Sequence, residues 1–271
     1  MSAARLAGLG ALAGRYDAVL FDQFGVLHDG RAAFPGAVEA VRRAKAAGLG
    51  TAVISNSGKR AGPNARRLDT LGFAPALFDA VVTSGEVCHA RLAAALAEGR
   101  LAPGAPVRLV ARDGDLSAIA GLDLHLVGPG EDAALVIVAG REPERFTLEA
   151  EAESLAPLAR RGVACWCSNP DRVMYAGEGT APGPGALAAA YAGTGGPVTL
   201  IGKPGRAVFE AALDALGVTD PARALMVGDS VEHDVAGARA VGIATLLVTG
   251  GIQAAGADGP APDHEIERLA W

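Results

Sequence analysis

The sequence lacks the features that mark membrane proteins and nucleic-acid-binding proteins. None of its 271 residues belongs to an apolar run of 18 or more, so no membrane-spanning helix is expected. The formal net charge is −6, and no stretch concentrates enough lysine and arginine to follow a phosphate backbone. No segment repeats at a fixed period. These absences argue against a membrane protein, a nucleic-acid partner and a repeat architecture.

Cysteine is also scarce, with only Cys88, Cys165 and Cys167 in the chain. Their number is odd and two of them lie one residue apart, a spacing that fits neither a disulfide framework nor a zinc site. We therefore expect ordinary buried thiols.

The N-terminus holds a short apolar stretch, residues 6–14, behind a single basic residue, Arg5. This stretch contains three glycines and is followed by no polar cleavage region, which argues against a secretory signal. We expect a first helix that leads into a strand at Ala18, and a cytoplasmic protein.

The composition is that of a compact α/β protein. Half of the residues are apolar and 20% are charged, with alanine and glycine abundant. A chain of 271 residues exceeds the usual size of one domain, so we expect one large domain or a core with an inserted second domain.

Apolar strands alternate with helices from the start. Residues 18–22, AVLFD, form an apolar run that ends in Asp22, as expected for a buried parallel strand. Residues 35–48 begin with proline and end with glycine around helix-forming residues, and residues 51–55, TAVIS, predict the next strand. This order predicts a parallel sheet with right-handed crossovers.

The middle of the chain repeats the alternation. PVRLVA, ALVIVAG and GVACWCSN are typical of strands, and an acid-rich helix is predicted between the last two. We expect a second α/β domain over residues 85–185, which leaves residues 1–84 and 186–271 for the core. ATLLVTGG, residues 244–251, is predicted to close the core sheet, and the tail from Ala254 onward is predicted to pack loosely on the surface.

Polar residues follow several of the predicted core strands. Asp22, Ser55, Lys203 and the pair Asp229 and Asp234 stand at four strand ends. Because the carboxyl ends of parallel strands share one edge, we expect these side chains to converge there. A carboxylate can attack phosphorus only where cations offset the charge of the phosphate, so this set indicates phosphoryl transfer.

Each residue of the set has a predicted part in that chemistry. The Asp22 and Asp229 carboxylates are oxygen ligands suited to Mg²⁺. Ser55 and the backbone amide of Asn56 are expected to hydrogen-bond the phosphoryl oxygens, and Lys203 to neutralise charge on the nucleophile and the transferred group. Asp234 is counted with the metal site, either as a ligand or as the group that orients Lys203 or a water on the metal.

Four motifs in this order resemble those of the haloacid dehalogenase superfamily. They are FDQFGVLHDG, VISNSG, IGKPG and VGDSVEHD, and their anchors bracket nearly the whole chain. The long insertion with CSNPD near its end is similar to that of the class IIA, or NagD-like, branch. The resemblance implies a Rossmann-like, three-layer parallel-sheet core with an inserted α/β cap of the C2 type, and a phosphatase of small phosphorylated metabolites.

The resemblance also assigns residues. Asp22 would be the nucleophile that forms an aspartyl-phosphate, and Ser55 and Lys203 would be the phosphate contact and the lysine of the motif. Asn169 and Asp171 fall on the cap loop that such proteins point at the substrate. An Asx turn before Pro170 explains these two residues equally well.

Phe24 departs from the family pattern, which has an aspartate at this position to protonate the leaving group. A phenyl ring donates no proton, although the main-chain carbonyl of Phe24 can still ligate magnesium. Three hypotheses follow: a phosphatase that acts on good leaving groups or borrows an acid from His28 or Asp29, a dehalogenase-like hydrolase, and a catalytically weak phosphate-binding or regulatory protein. The first is favoured because a carbon–halogen displacement does not need the acidic VGDSVEHD turn. A homodimer is left open.

Overall fold

The computed structural model describes residues 4–176, 179–251 and 259–271. The chain forms two compact units. The first comprises Met1–Ser55, Gly62–Val82 and Lys203–Trp271, and the second comprises Asn56–Ala61 and Thr83–Gly202. Among the described residues, no helix combines the length and the apolar character needed to cross a membrane.

The first unit is built on a seven-stranded sheet. Its strands, in spatial order, are β1 (Ala4–Arg5), β14 (His264–Ile266), β13 (Ala244–Val248), β12 (Ala224–Gly228), β2 (Ala18–Phe21), β3 (Gly50–Ser55) and β4 (Ala80–Thr83). Neighbouring strands from β1 to β3 pair in parallel. The helices are α1 (Ala37–Ala46), α2 (Ala61–Thr70), α6 (Arg206–Leu216) and α7 (Ala236–Ala240). This parallel sheet with flanking helices confirms the predicted Rossmann-like core.

Helix α1 shows how the sequence pattern produces this packing. Its buried residues recur at helical spacing and form one apolar stripe. They are Ala37, Ala40, Val41 and Ala44, each 0% exposed. Gly48, with φ +84°, then reverses the chain into β3 at no steric cost. The strands β2 and β3 are buried almost completely, as a sheet covered by helices requires.

The second unit has its own five-stranded sheet. In spatial order its strands are β11 (Val198–Leu200), β8 (Ala164–Cys167), β7 (Leu135–Val138), β5 (Ala105–Val110) and β6 (Leu124–Leu126), all paired in parallel. A separate antiparallel pair consists of β9 (Val173–Ala176) and β10 (Gly179–Pro182). The helices are α3 (Ser84–Ala97), α4 (Leu148–Arg160) and α5 (Pro184–Gly193).

The predicted strands of the middle segment are confirmed as β5, β7 and β8. The expected second domain, residues 85–185, lies within the second unit, which is larger at both ends. Its sheet also includes β11, because Val198–Leu200 pairs with β8. The three cysteines are free and buried in this unit, as predicted. Burial raises the pKa of the Cys88 and Cys167 thiols to about 12, so these thiols stay protonated and unreactive.

Both ends of the chain differ from the expectation. The apolar N-terminal stretch contains only a short 3₁₀ turn, Leu9–Leu12, rather than a regular helix. The C-terminal residues do not form a loose tail where they are described: β14 pairs with β13, and Leu269 is 1% exposed. The sheet therefore continues past β13. Residues 254–258 of the expected tail lie outside the described residues.

Candidate active site

Two carboxylates stand side by side at the carboxyl edge of the seven-stranded sheet. Asp22 directly follows β2, and its N–H donates to the Val227 carbonyl oxygen of β12 at 2.9 Å. Asp229 directly follows β12 and is 2% exposed. Phe21 pairs with Val227 in register, and Asp22 and Asp229 follow these paired residues by one and two positions, so both emerge at the same edge. The structure thus brings these two predicted residues to one place.

The Lys203 side chain bridges Asp22 and Asp234. Its Nζ lies 2.7 Å from Asp22 Oδ1 and 2.6 Å from Asp234 Oδ1. The Lys203 side chain is 3% exposed and that of Asp234 1%. These are buried, charge-assisted hydrogen bonds, which fix the ammonium group against Asp22. Asp22 Oδ2 makes no hydrogen bond with the described residues.

Asp234 is held by a turn of π-helix, Val231–Val235. Its Oδ2 accepts the backbone N–H of Ser230 at 3.0 Å, while its Oδ1 accepts Lys203. Both oxygens are therefore occupied. The Lys203 ammonium is thus held between Asp234 and Asp22.

The cluster holds more negative than positive charge. Asp22, Asp229 and Asp234 each offer an oxygen, and these oxygens lie within 4.8 Å of one another around the single ammonium of Lys203. Burial raises the pKa of Asp22 well above its usual value, Lys203 opposes the rise, and the other two aspartates add to it. Burial alone would lower the pKa of Lys203, but the Asp22 and Asp234 carboxylates raise it overall. An oxygen-rich cluster with this charge fits a bound divalent cation.

Gly25 brings backbone against Asp229. Its φ is +83°, and a Cβ placed on it would lie 1.9 Å from Asp229 Oδ2. Gly251 approaches the same side chain, since a Cβ placed on Gly251 would lie 2.3 Å from Asp229 Cβ. Only glycine allows the turn after β2 to close this tightly on the carboxylate. Gly25 was not predicted from the sequence, although a glycine three residues after a strand-ending acid is a recognisable turn feature.

The Phe24 ring packs against His28 and Arg67 within the first unit. Its ring centroid is 4.5 Å from that of His28 in an edge-to-face arrangement, and the Arg67 guanidinium carbon lies 5.3 Å from it. Arg67 Nη2 also donates to the Gly30 carbonyl oxygen at 2.7 Å. Arg67 was not predictable, because its contact with Phe24 joins residues that lie 43 positions apart in the chain.

Neither of the two alternative acids holds a proton at neutral pH. Burial, followed by the Arg67 charge, lowers the pKa of His28 to about 4, and its Nδ1 accepts the Gly30 N–H at 3.0 Å. The backbone N–H groups of Ala32 and Arg31 lower the pKa of Asp29, whose Oδ1 accepts both. Asp29 is therefore an ionised turn residue and His28 a neutral imidazole.

One expectation about the strands is wrong. Lys203 was predicted to end a strand of the same sheet as Asp22, but the preceding strand, β11, belongs to the five-stranded sheet. A hydrogen bond between side chains, rather than a shared sheet edge, joins Lys203 to Asp22. Ser55 does lie at the expected edge, as the last residue of β3, and is 4% exposed.

The remaining predicted residues belong to the second unit. Asn56 Nδ2 donates to Asp171 Oδ1 at 2.8 Å, and the Ser84 hydroxyl donates to Asn56 Oδ1 at 3.3 Å. The Asp171 N–H donates to Asn169 Oδ1 at 3.2 Å, which is the Asx turn considered above. Asn56 and Asp171 are thus directly linked, although they are 115 residues apart.

Comparisons with known proteins show which family the chain is similar to. A family model described as haloacid dehalogenase-like hydrolase matches residues 19–125, and one described as HAD-hydrolase-like matches residues 200–271. Mouse chronophin is 31% identical over 98% of this chain and 95% of its own length.

Solved structures show the same likeness. A haloacid dehalogenase-like hydrolase from Brucella suis 1330 has a TM-score of 0.85 at 32% identity, covering 97% of this chain and 98% of that one. A glycerol phosphate phosphatase from Mycobacterium tuberculosis, solved in complex with magnesium, has a TM-score of 0.70 at 28% identity, covering 89% of this chain and 70% of that one. With Lys203 bound to Asp22 and Asp234 on the fold of these relatives, the chain belongs to the haloacid dehalogenase superfamily, in its class IIA or NagD-like branch, and is a hydrolase of the phosphatase type.

Proposed function

We propose that the protein is a magnesium-dependent phosphatase of a small phosphorylated metabolite, in which Asp22 attacks phosphorus and carries the phosphoryl group transiently. The observation that supports this most directly is the buried bridge from Asp22 through Lys203 to Asp234, with Asp229 beside it. Lys203 engages Asp22 Oδ1 only, so Oδ2 is the oxygen available for attack. Ser55 and the Asn56 amide would hold the phosphoryl oxygens.

The charge of the cluster supports a metal cofactor. We assign Mg²⁺ to the side chains of Asp22 and Asp229 and to the main-chain carbonyl of Phe24, which follows the nucleophile by two residues. When bound, the ion offsets the repulsion between the carboxylates and the phosphate. Asp234 is assigned to holding Lys203, because both of its oxygens are already occupied. The magnesium complex of the mycobacterial relative is consistent with this choice.

The leaving group is expected to depart without a proton. Phe24 has none to give, Asp29 is ionised, and His28 has a pKa of about 4. Loss of general acid catalysis lowers rates by a factor of about 10² to 10⁴, most of all for basic leaving groups. We therefore assign acyl or aryl phosphates to this site in preference to alkyl phosphates. Selection among substrates is assigned to the second unit, through the loop that holds Asn169 and Asp171.

Activity against phosphate esters graded by the pKa of their leaving groups tests the proposal. With Mg²⁺ present, rates should fall steeply as the leaving group becomes more basic, and chelation of the metal should abolish turnover. Asp22→Asn should be inactive, while Asp214→Asn, an acid on helix α6, serves as the matched control. Halide release from 2-haloacids without magnesium would favour the dehalogenase hypothesis instead. Phosphate binding without turnover of either class would favour the regulatory one.

A further inference from the structure

A cleft lies at the amino edge of the seven-stranded sheet, at the ends of the strands opposite to Asp22. Its volume is about 580 Å³, within the range of small-molecule sites. The residues around it precede or begin β2, β12, β13 and β14. The polar ones are Arg15, Tyr16, Arg239, Asp263 and His264. We call this space the amino-edge cleft.

The amino-edge cleft carries an excess of positive charge. Asp263 is the only acid among the described residues that line it, and Asp263 Oδ2 already accepts the N–H and the hydroxyl of Thr245 at 2.9 Å and 2.8 Å. Asp263 Oδ1 lies 3.9 Å from Arg239 Nη1, so one arginine is partly balanced. Two guanidinium groups therefore face one occupied carboxylate. This local balance contrasts with the formal charge of −6 for the whole chain.

Arg15 is the unbalanced cation. Its guanidinium makes no hydrogen bond or ion pair with any residue in the ranges 4–176, 179–251 and 259–271. Arg15 is nevertheless close enough to act on its neighbours. Burial lowers the pKa of His264, and the charge of Arg15 lowers it further. Burial raises the pKa of Tyr16, and the charge of Arg15 opposes this rise. A cation with free N–H groups in a cleft selects an anionic ligand.

Tyr16 adds a neutral donor. Its hydroxyl lies 3.5 Å from His264 Nε2, longer than the usual separation in an O–H···N hydrogen bond, so the hydroxyl is available to a ligand. His264 is 8% exposed and stays neutral because its pKa is lowered. The remaining walls are apolar or backbone, at Ala222, Gly242, Ile243 and Ala244. They leave room for a ligand body beyond its charged group.

We propose that the amino-edge cleft binds a small organic anion through a phosphoryl or carboxylate group, as a second ligand site separate from the Asp22 edge. Arg15 and Arg239 supply the charge, and the Tyr16 hydroxyl supplies a further hydrogen bond. The proposal does not depend on the reaction assigned to Asp22.

Histidine ring signals in NMR spectra of the whole protein test it, because one spectrum reports both edges of the sheet. His264 reports the amino-edge cleft and His233, adjacent to Asp234, reports the catalytic edge. Titration with inorganic phosphate or with succinate should move the His264 signal saturably. Response to phosphate alone identifies a phosphoryl ligand, and response to succinate a carboxylate.

Variants then locate the binding. Arg15→Gln with Arg239→Gln should weaken the His264 response at least about tenfold, as expected for the loss of charge-assisted hydrogen bonds, and leave the His233 response unchanged. Arg66→Gln, at an exposed arginine on α2, is the matched control. Should the double variant fold poorly, Tyr16→Phe removes a single hydroxyl and should weaken binding a few-fold. The proposal would be overturned if neither anion moved the His264 signal. It would also be overturned if the signal moved as much in the Arg15 and Arg239 double variant and in Tyr16→Phe as in the unchanged protein.

Discussion

At the scale of single residues, Lys203 is the group that makes the acidic site compatible with a folded core. It is 3% exposed and neutralises part of the charge of Asp22 and Asp234. A buried ion pair adds little net stability compared with apolar residues, but removal of one partner leaves the other charge unpaired in a medium of low polarity. The cost of losing Lys203 should therefore exceed that of losing an exposed lysine.

We expect Lys203→Met to lower the free energy of unfolding by about 3 to 5 kcal/mol in metal-free protein, since two carboxylates lose their cation. Urea denaturation measures this change. Lys45→Met is the matched control, because Lys45 and Asp79 form an ion pair that is 33% and 42% exposed and should contribute less than about 1 kcal/mol. Equal losses in the two variants would contradict the importance of the buried bridge.

In the proposed function Phe24 limits the leaving groups that the site accepts. The neighbours of Phe24 are then expected to determine how well an acid at this position donates a proton. An aspartate there would face the guanidinium of Arg67, which lies 5.3 Å from the ring centroid of Phe24. A nearby cation lowers the pKa of a carboxyl group and so weakens it as a proton donor. The position is thus adapted to the phenyl ring.

We expect Phe24→Asp to raise kcat/KM on alkyl phosphates only modestly, about tenfold, against the factor of about 10² to 10⁴ of a well-placed acid. Phe24→Asp combined with Arg67→Gln should gain more, since the pKa of the new acid is no longer depressed. The basic limb of the pH–rate profile should move to higher pH in the double variant. Phe24→Asp with Asp22→Asn should be inactive, and a single variant as active as the double would show that Arg67 has no influence.

At the scale of elements, the turn after β2 is a separate requirement of the site. Gly25 has φ +83° and Gly14 has φ +81°, so both adopt a backbone that other residues resist. They differ in surroundings: a Cβ on Gly25 would meet Asp229 Oδ2 at 1.9 Å, whereas one on Gly14 would meet no described atom within 4 Å. A comparison of substitutions at the two glycines therefore separates the effect of backbone strain from the effect of contact with Asp229.

Gly14→Ala should cost about 1 to 2 kcal/mol of stability through backbone strain and leave activity unchanged. Gly25→Ala should cost more than Gly14→Ala and also reduce magnesium affinity and turnover, because Asp229 must move. Thermal unfolding and magnesium-dependent rates measure both effects. Identical behaviour of the two variants would mean that the approach of Gly25 to Asp229 has no functional consequence.

The strands differ in how well the sequence predicts them. The strands β2, β3, β5, β7, β8 and β12 were predictable, because each is a short apolar run bounded by turn residues. β14 was not, because His264–Ile266 has three residues and follows a segment rich in proline and glycine. It becomes a strand through pairing with β13 and β1, and no local pattern contains that information.

At the scale of the whole molecule, the assigned metal links catalysis to stability. An ion that binds only the folded protein stabilises it in proportion to the logarithm of its concentration above the dissociation constant. We expect the melting temperature to rise with added Mg²⁺ and this rise to disappear in Asp229→Ala. Asp214→Ala should keep it. A full magnesium-dependent shift in Asp229→Ala would contradict the assignment of this ligand.

The sequence by itself determined the α/β class, the parallel core and the acids and lysine of the candidate site, because these follow from local apolar runs and from the polar residues that come after them. Only the tertiary structure decided that Lys203 follows a strand of the other sheet and yet bridges Asp22 and Asp234, across 181 and 31 positions. It also decided that Asp29 is a turn residue, that His28 is neutral and that Arg67 faces Phe24. These depend on burial and on contacts between distant segments, which periodicity and spacing along the chain do not encode.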